Sequence, residues 1–151
     1  MRNSIVIGSD HAGYCLKEKI KGMLAEKKYQ VIDKGTDSDE KCDYPDYAYK
    51  VAKEVAKGKS LGILICGTGI GMSIAANKVK GIRAALCCNE FMAKSAREHN
   101  DANILCLGAR VLEEKEALKI VDAFLGSDFS KEERHVKRVR KMMAMEKKEM
   151  K

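Results

Sequence analysis

Leu61-Gly62-Ile63-Leu64-Ile65-Cys66-Gly67-Thr68-Gly69-Ile70-Gly71-Met72-Ser73 decides the architecture of this chain. Leu61 to Cys66 is an uninterrupted apolar run about one strand long, the pattern of a strand covered on both faces. Glycines at positions 67, 69 and 71 then let the backbone turn tightly, and a helix is expected to start near Gly71. Strand, glycine turn, helix is the unit of a parallel sheet, because parallel neighbours need a crossover between them.

Similar units lie on either side. Ser4 to Gly8 reads as a buried strand, followed by Leu16, Ile20, Met23 and Leu24 at helical spacing. Tyr29 to Asp33 is a second strand. Ala48, Val51, Ala52, Val55 and Ala56 mark a second helix, with Pro45 suited to its first turn. Ile82 to Cys87 reads as a fourth strand leading to a helix over 89–99, and Ile104 to Leu107 as a fifth. Leu118, Val121, Phe124 and Leu125 form another helical face, and Val136, Val139 and Met143 a last one beyond the loop over 126–130. The expected fold is α/β: a single doubly wound, Rossmann/flavodoxin-like sheet of five parallel strands, with helices on both faces and a C-terminal helix. No internal repeat or domain boundary interrupts it, so residues 1–151 are read as a single domain with 141–151 as a basic C-terminal tail.

Composition narrows the classes. Of 151 residues, 45% are apolar and 34% charged, which fits a soluble globular chain. No apolar run approaches the roughly 18 residues needed to span a bilayer. Ile5-Val6-Ile7 is too short for a signal peptide's apolar segment, so a cytoplasmic location is expected. Net charge is +7, and residues 131–151, with nine Lys/Arg against four Glu, carry most of it. With three Phe and no Trp to stack on bases, a solvated basic helix fits better than a nucleic-acid surface.

In a doubly wound sheet, ligands bind outside the carboxyl ends of the strands. Four stretches fall there: Gly8-Ser9-Asp10-His11, Cys66 to Gly71, Cys87-Cys88-Asn89 and Gly108-Ala109-Arg110. The glycine loop offers N–H groups and a helix start to an anion, or it is a structural turn. Its spacing matches neither a G-x-G-x-x-G fingerprint nor a P-loop. Cys66 opens it, where N–H donors favour a reactive thiolate. The other five cysteines (Cys15, Cys42, Cys87, Cys88, Cys106) form no C-x-x-C pair and read as reduced thiols with no role in the chemistry. His99, before Asn100-Asp101, suits either general acid–base work or a helix-end cap. Asp10 can cap the following helix. Arg134 and Arg138, one turn apart, form either a phosphate clamp or a basic face.

Together these stretches resemble the type B ribose-5-phosphate isomerase family, which also includes allose- and galactose-6-phosphate isomerases. The matches run in order from Ile5 to about Arg140. They include Gly8-Ser9-Asp10-His11, Gly35-Thr36, Asp43-Tyr44-Pro45, Ile65 to Lys78, Gly81-Ile82-Arg83-Ala84, His99 to Asn103, Gly108-Ala109-Arg110 and Arg134-His135. The resemblance implies that Cys66 is the base moving a proton between C1 and C2. It makes Thr68 and the backbone of Gly67, Gly69, Ile70 and Gly71 the enediolate's donors, and gives His99 the opening of the furanose ring. Asp10 and Tyr44 would contact the sugar, with Asn100 beside the reacting end. His11, Arg134 and Arg138 would hold the phosphate, with Arg110 and His135 as weaker candidates. It also implies a homodimer or dimer of dimers, because the family's site lies between two subunits. No metal or other cofactor is implied. A branch of the family replaces the cysteine with a glutamate after the last loop glycine; here Met72 stands there, which places the chain in the cysteine branch. Glu132-Glu133 departs from the glycines frequent in relatives and puts carboxylates near the expected phosphate site. A six-carbon sugar phosphate such as allose 6-phosphate is the alternative substrate, and a non-catalytic sugar-phosphate sensor the alternative class.

Overall fold

A computed structural model describes residues 3–150. Five strands, β1 (Ser4–Ser9), β2 (Gln30–Asp33), β3 (Leu61–Cys66), β4 (Ala84–Leu86) and β5 (Ile104–Gly108), pair in parallel in the order β2-β1-β3-β5-β4. Six helices connect and follow them: α1 (Tyr14–Glu26), α2 (Tyr44–Val55), α3 (Ile70–Ala76), α4 (Glu90–Asn100), α5 (Glu114–Leu125) and α6 (Glu133–Glu149). The expected alternation and helix-covered parallel sheet are present.

Strand periodicity of two builds the two layers. Ile63 and Ile65 of β3 face one core with Ile5, Ile7, Leu105 and Leu107, closed by Leu16, Ile20 and Leu24 of α1 and Ile120, Val121 and Phe124 of α5. Leu64 and Cys66 face the other, with Val6, Ile104 and Cys106, closed by Val51, Ala52 and Val55 of α2 and Met72 of α3. Burying one such aliphatic or aromatic side chain contributes about 1.5–3 kcal/mol, so both layers are strongly held. The order turns back at β1 and β3: β1 leads outward to β2, while β3 leads the other way. Register sets Ile65 beside Ser9 and Cys66 beside Gly108, so these strand ends share one edge of the sheet.

Some bounds differ from the sequence reading. The fourth strand is Ala84–Leu86 rather than 82–87. Ile82 is held in a turn by its N–H bond to the Val79 carbonyl, and the Arg83 N–H goes to Asn103 Oδ1. The outer side of β4 is occupied by Asn77, whose amide both donates to and accepts from the Ala84 backbone at 2.9 Å, blunting an edge that could pair with another strand. The second strand begins at Gln30 and α3 at Ile70. The Lys-rich end read as a tail is helical through Glu149, tied down by Glu146 accepting the Gly81 N–H at 2.7 Å.

Candidate active site

Cys66 is the last residue of β3 and 5% exposed. Its Sγ accepts the Gly69 N–H at 3.1 Å. Gly69 reaches that position with φ +80°, where its hydrogen side faces the Leu107 backbone; a Cβ there would sit 2.9 Å from the Leu107 carbonyl carbon. Thr68 Oγ1 accepts the Ile70 N–H at 3.2 Å, fixing an exposed hydroxyl at the mouth of the loop. The Tyr44 ring lies against Gly71 so closely that a Cβ would come within 2.6 Å of it. Arg110 returns across the loop: its N–H donates to the Gly67 carbonyl at 2.9 Å, and its guanidinium covers Gly67.

The β1 end completes this edge. The Asp10 N–H donates to the Ile65 carbonyl, and Oδ1 accepts the Gly13 N–H at 3.1 Å, so Asp10 fixes the turn that leads into α1, while the N-cap of α1 is Gly13, without a side-chain cap. His11 Nδ1 accepts the Cys42 N–H at 3.3 Å. With Nδ1 an acceptor, the proton of the neutral ring belongs on Nε2, which is left as a donor. The loop that carries Cys42 is anchored by Lys17, 1% exposed, which donates to the Thr36 carbonyl at 2.6 Å and to Asp33 at 2.7 Å. Burial pushes the Asp33 carboxyl up, but the ammonium groups of Lys17 and Lys21 outweigh it and hold it below its ordinary value. Neither Lys17 nor the Cys42 N–H was marked by sequence: a lone lysine on a helix reads as surface, and a backbone donor has no residue signature.

The remaining candidates lie elsewhere. His99 and Asn100 end α4, immediately before β5 begins, at the amino end of the sheet. From Ile104 to Gly108, the partner of Cys66, four residues span about 13 Å. Within one chain His99 therefore stands at least a strand's length from Cys66. His99 stacks on His135, with ring centroids 4.3 Å apart. His135 is 3% exposed, with Nδ1 2.8 Å from Ser130 Oγ. Burial, then the neighbouring His99 and Arg134 charges, push its pKa below the ordinary 6.5. Arg134 and Arg138 project from the first turns of α6 beside this pair, and both are exposed. Arg134 Nε donates to Glu132 at 2.9 Å, which holds the Glu132 carboxyl below its usual range. The Glu132 departure noted in the sequence thus acts directly on one of the phosphate candidates.

The carboxyl edge offers a sulfur with an N–H on it, a hydroxyl, loop N–H groups, a carboxylate and an imidazole donor. Such a set can remove a proton beside a carbonyl and stabilise the resulting oxyanion. Burial pushes the Cys87 thiol up to about 12 and the Cys106 thiol higher still, which keeps both protonated.

Comparison with known proteins fits this arrangement. The family model described as "Ribose/Galactose Isomerase" matches residues 5–142. The chain is 50% identical over 143 residues to ribose-5-phosphate isomerase B of Escherichia coli (strain K12), covering 94% of this chain and 95% of that protein. Among solved structures, Clostridium thermocellum ribose-5-phosphate isomerase B superposes with a TM-score of 0.93 at 55% identity, covering 96% of this chain and 98% of that one. Ribose-5-phosphate isomerase B from Mycoplasma genitalium, with bound ribulose-5-phosphate, gives 0.92 at 48% identity, covering 95% and 96%. With one sheet edge built around the Cys66 loop and relatives matching nearly end to end, the chain belongs to the ribose/galactose isomerase family, in its type B ribose-5-phosphate isomerase class.

Proposed function

We propose that this chain interconverts ribose 5-phosphate and ribulose 5-phosphate through an enediolate, with Cys66 as the base. The observation that carries the assignment of the base is the Gly69 N–H on Cys66 Sγ, the donor a thiolate needs, in the glycine turn that opens α3. The named activity of the full-length relatives supports the substrate.

The sulfur takes the C2 proton of the open-chain aldose and returns a proton to C1, while the hydroxyl proton passes from O2 to O1. Charge that develops on the oxygens meets Thr68 and the N–H groups of Gly67, Gly69, Ile70 and Gly71. One such donor contributes about 2.7–4 kcal/mol to the barrier reduction. Asp10 and Tyr44 hold sugar hydroxyls, and Arg110 borders the loop. His11 offers Nε2–H to the phosphate, joined by Arg134 and Arg138, with His135 positioned behind them. His99 opens the furanose ring, and Asn100 lies beside the reacting end.

His99, Asn100, Arg134 and Arg138 stand at the opposite end of the sheet from Cys66, so a second copy of the chain supplies them, as a homodimer or a dimer of dimers. The whole chain, 1–151, acts as one domain. Its six unpaired thiols suit the reducing cytoplasm, and none of its described helices is long and apolar enough to cross a membrane.

Mixing Cys66→Ala with His99→Gln, each inactive on ribose 5-phosphate, tests the shared site. Subunit exchange leaves one intact site in each mixed dimer, and activity returns to about a quarter of wild type. No recovery, with mixed dimers demonstrated by mass spectrometry, would place both residues in one subunit's site and refute the arrangement.

A further inference from the structure

α4 ends in a way its backbone does not require. Asp101, directly after His99 and Asn100, has φ +47° and ψ 41°. A left-handed residue closing a helix is most often glycine, because a Cβ is disfavoured there. A carboxylate occupies the position instead, and both its oxygens are used. Oδ1 accepts from Arg97 Nη1 at 3.2 Å, and Oδ2 from Arg83 Nη2 at 3.1 Å. Arg83 Nε also donates to the Asp101 carbonyl at 2.9 Å, and Arg97 Nη1 to the Ala102 carbonyl at 2.6 Å.

The two arginines are themselves fixed. Arg97, 7% exposed, donates to the Ser127 carbonyl and stacks over Phe124, inside the α5 core. Arg83 comes from the turn before β4, where its N–H is bound by Asn103 Oδ1, while Asn103 Nδ2 donates to the Gly81 carbonyl. Helix ends fray, and their last carbonyls lack internal partners. Arg97 belongs to the last turns of α4 itself and ties them to α5, while Arg83 reaches in from the β4 turn; the Asp101 carboxylate joins the two.

We propose that Asp101 is the positioning residue for the His99–Asn100 segment, closing the end of α4 onto its own Arg97 and tying it to Arg83 of the β4 turn so that His99 presents its imidazole in one orientation. This rests on the reading that His99 opens the sugar ring.

Asp101→Gly in the full-length protein is the direct test, because glycine removes the carboxylate and relieves the left-handed backbone together, so the chain still folds. Asp101→Asn keeps an acceptor oxygen and is the conservative control. The chain has three histidines, so imidazole NMR resolves each. In Asp101→Gly the His99 resonance shifts or broadens while that of His11, at the far end of the sheet, stays in place; Asp101→Asn lies between. The rate readout uses ribose 5-phosphate against 4-deoxyribose 5-phosphate, which lacks the ring-closing hydroxyl and stays open. Misplacement of His99 lowers kcat/KM on ribose 5-phosphate about 10- to 100-fold and leaves the open-chain substrate within about twofold. Loss of folded protein alone would lower both equally. An unmoved His99 resonance, or equal losses on the two substrates while His99→Gln discriminates between them, overturns the proposal. If His99→Gln itself treats both substrates alike, the ring-opening reading fails, and the positioning role is then decided by the His99 resonance alone.

Discussion

Replacing Gly69 by alanine places two separable burdens on the loop behind Cys66. The residue has φ +80°, a conformation that costs an L side chain about 1–2 kcal/mol. The new Cβ would also meet Leu86 Cδ1 at 2.6 Å and the Leu107 carbonyl carbon and oxygen at 2.9 and 3.0 Å. Leu107 is backbone of β5, a strand paired on both sides, so the loop must move rather than the wall; such overpacking costs about 1–3 kcal/mol. At roughly 2–4 °C per kcal/mol for a chain of this size, Gly69→Ala melts about 4–20 °C lower. Displacing the Gly69 N–H removes one donor from the site, so kcat falls about 10²–10³-fold. Gly58→Ala isolates the first burden, since Gly58 has φ +81° with nothing within 4 Å of its Cβ position and lies at the far end of α2. It loses only about 1–2 kcal/mol and keeps wild-type kinetics. Calorimetry and steady-state rates on both variants decide the matter. Gly69→Ala with the melting temperature of Gly58→Ala and wild-type kcat would refute a loop built to hold that N–H.

Other perturbations follow from the amino-edge group. His135 has a lowered folded pKa, so the unfolded chain binds its proton more readily; stability is complete above about pH 6.5 and is lost as pH falls through the folded value. Thermal melts of wild type and His135→Gln between pH 5 and 8 check this: the variant has a shallower slope, and a wild type that gains stability on acidification contradicts it. Arg138→Ala removes a charge-assisted contact worth about 1.5–3 kcal/mol, so KM for ribose 5-phosphate rises roughly 10- to 100-fold with kcat little changed; an unchanged KM removes Arg138 from the phosphate site. Glu132→Gln frees Arg134 from its 2.9 Å partner and lowers KM, whereas a raised KM would show that Glu132 orients the guanidinium productively.

The fold was legible because local chemistry and global architecture agree in this chain. Apolar runs without alternation gave the covered strands, and Leu61 to Gly71 alone announced strand, turn and helix. Asp10 was expected to cap α1, but it bonds the Gly13 N–H one residue before the helix, because a three-residue turn intervenes between β1 and α1. The fourth strand was overread because Ile82 and Cys87 are as apolar as the residues between them, and only hydrogen bonds to Val79 and Asn103 withdraw Ile82 and Arg83 from the ladder. Lys17 could not be recognised as buried, since what satisfies it is a carbonyl and a carboxylate brought by the β2 end and the loop after it; Arg97 is met by Asp101 and Ala102 nearby and by Ser127 from beyond α5, a set that residue types alone do not announce. The sequence reading put Cys66 at a strand's carboxyl end and His99 at a helix end just before the fifth strand; the parallel register makes these opposite ends of one sheet, in keeping with the two-subunit site that the resemblance implies.

Conversion of ribose 5-phosphate to ribulose 5-phosphate by wild type and Cys66→Ala, side by side in EDTA and with sugar-phosphate binding measured on both, tests the central claim most directly. The wild type converts the substrate, while Cys66→Ala binds it with similar affinity and is slower by at least about 10²-fold. A Cys66→Ala protein that isomerises at the wild-type rate would contradict the assignment of the base, and one that loses binding together with activity would make Cys66 a structural residue.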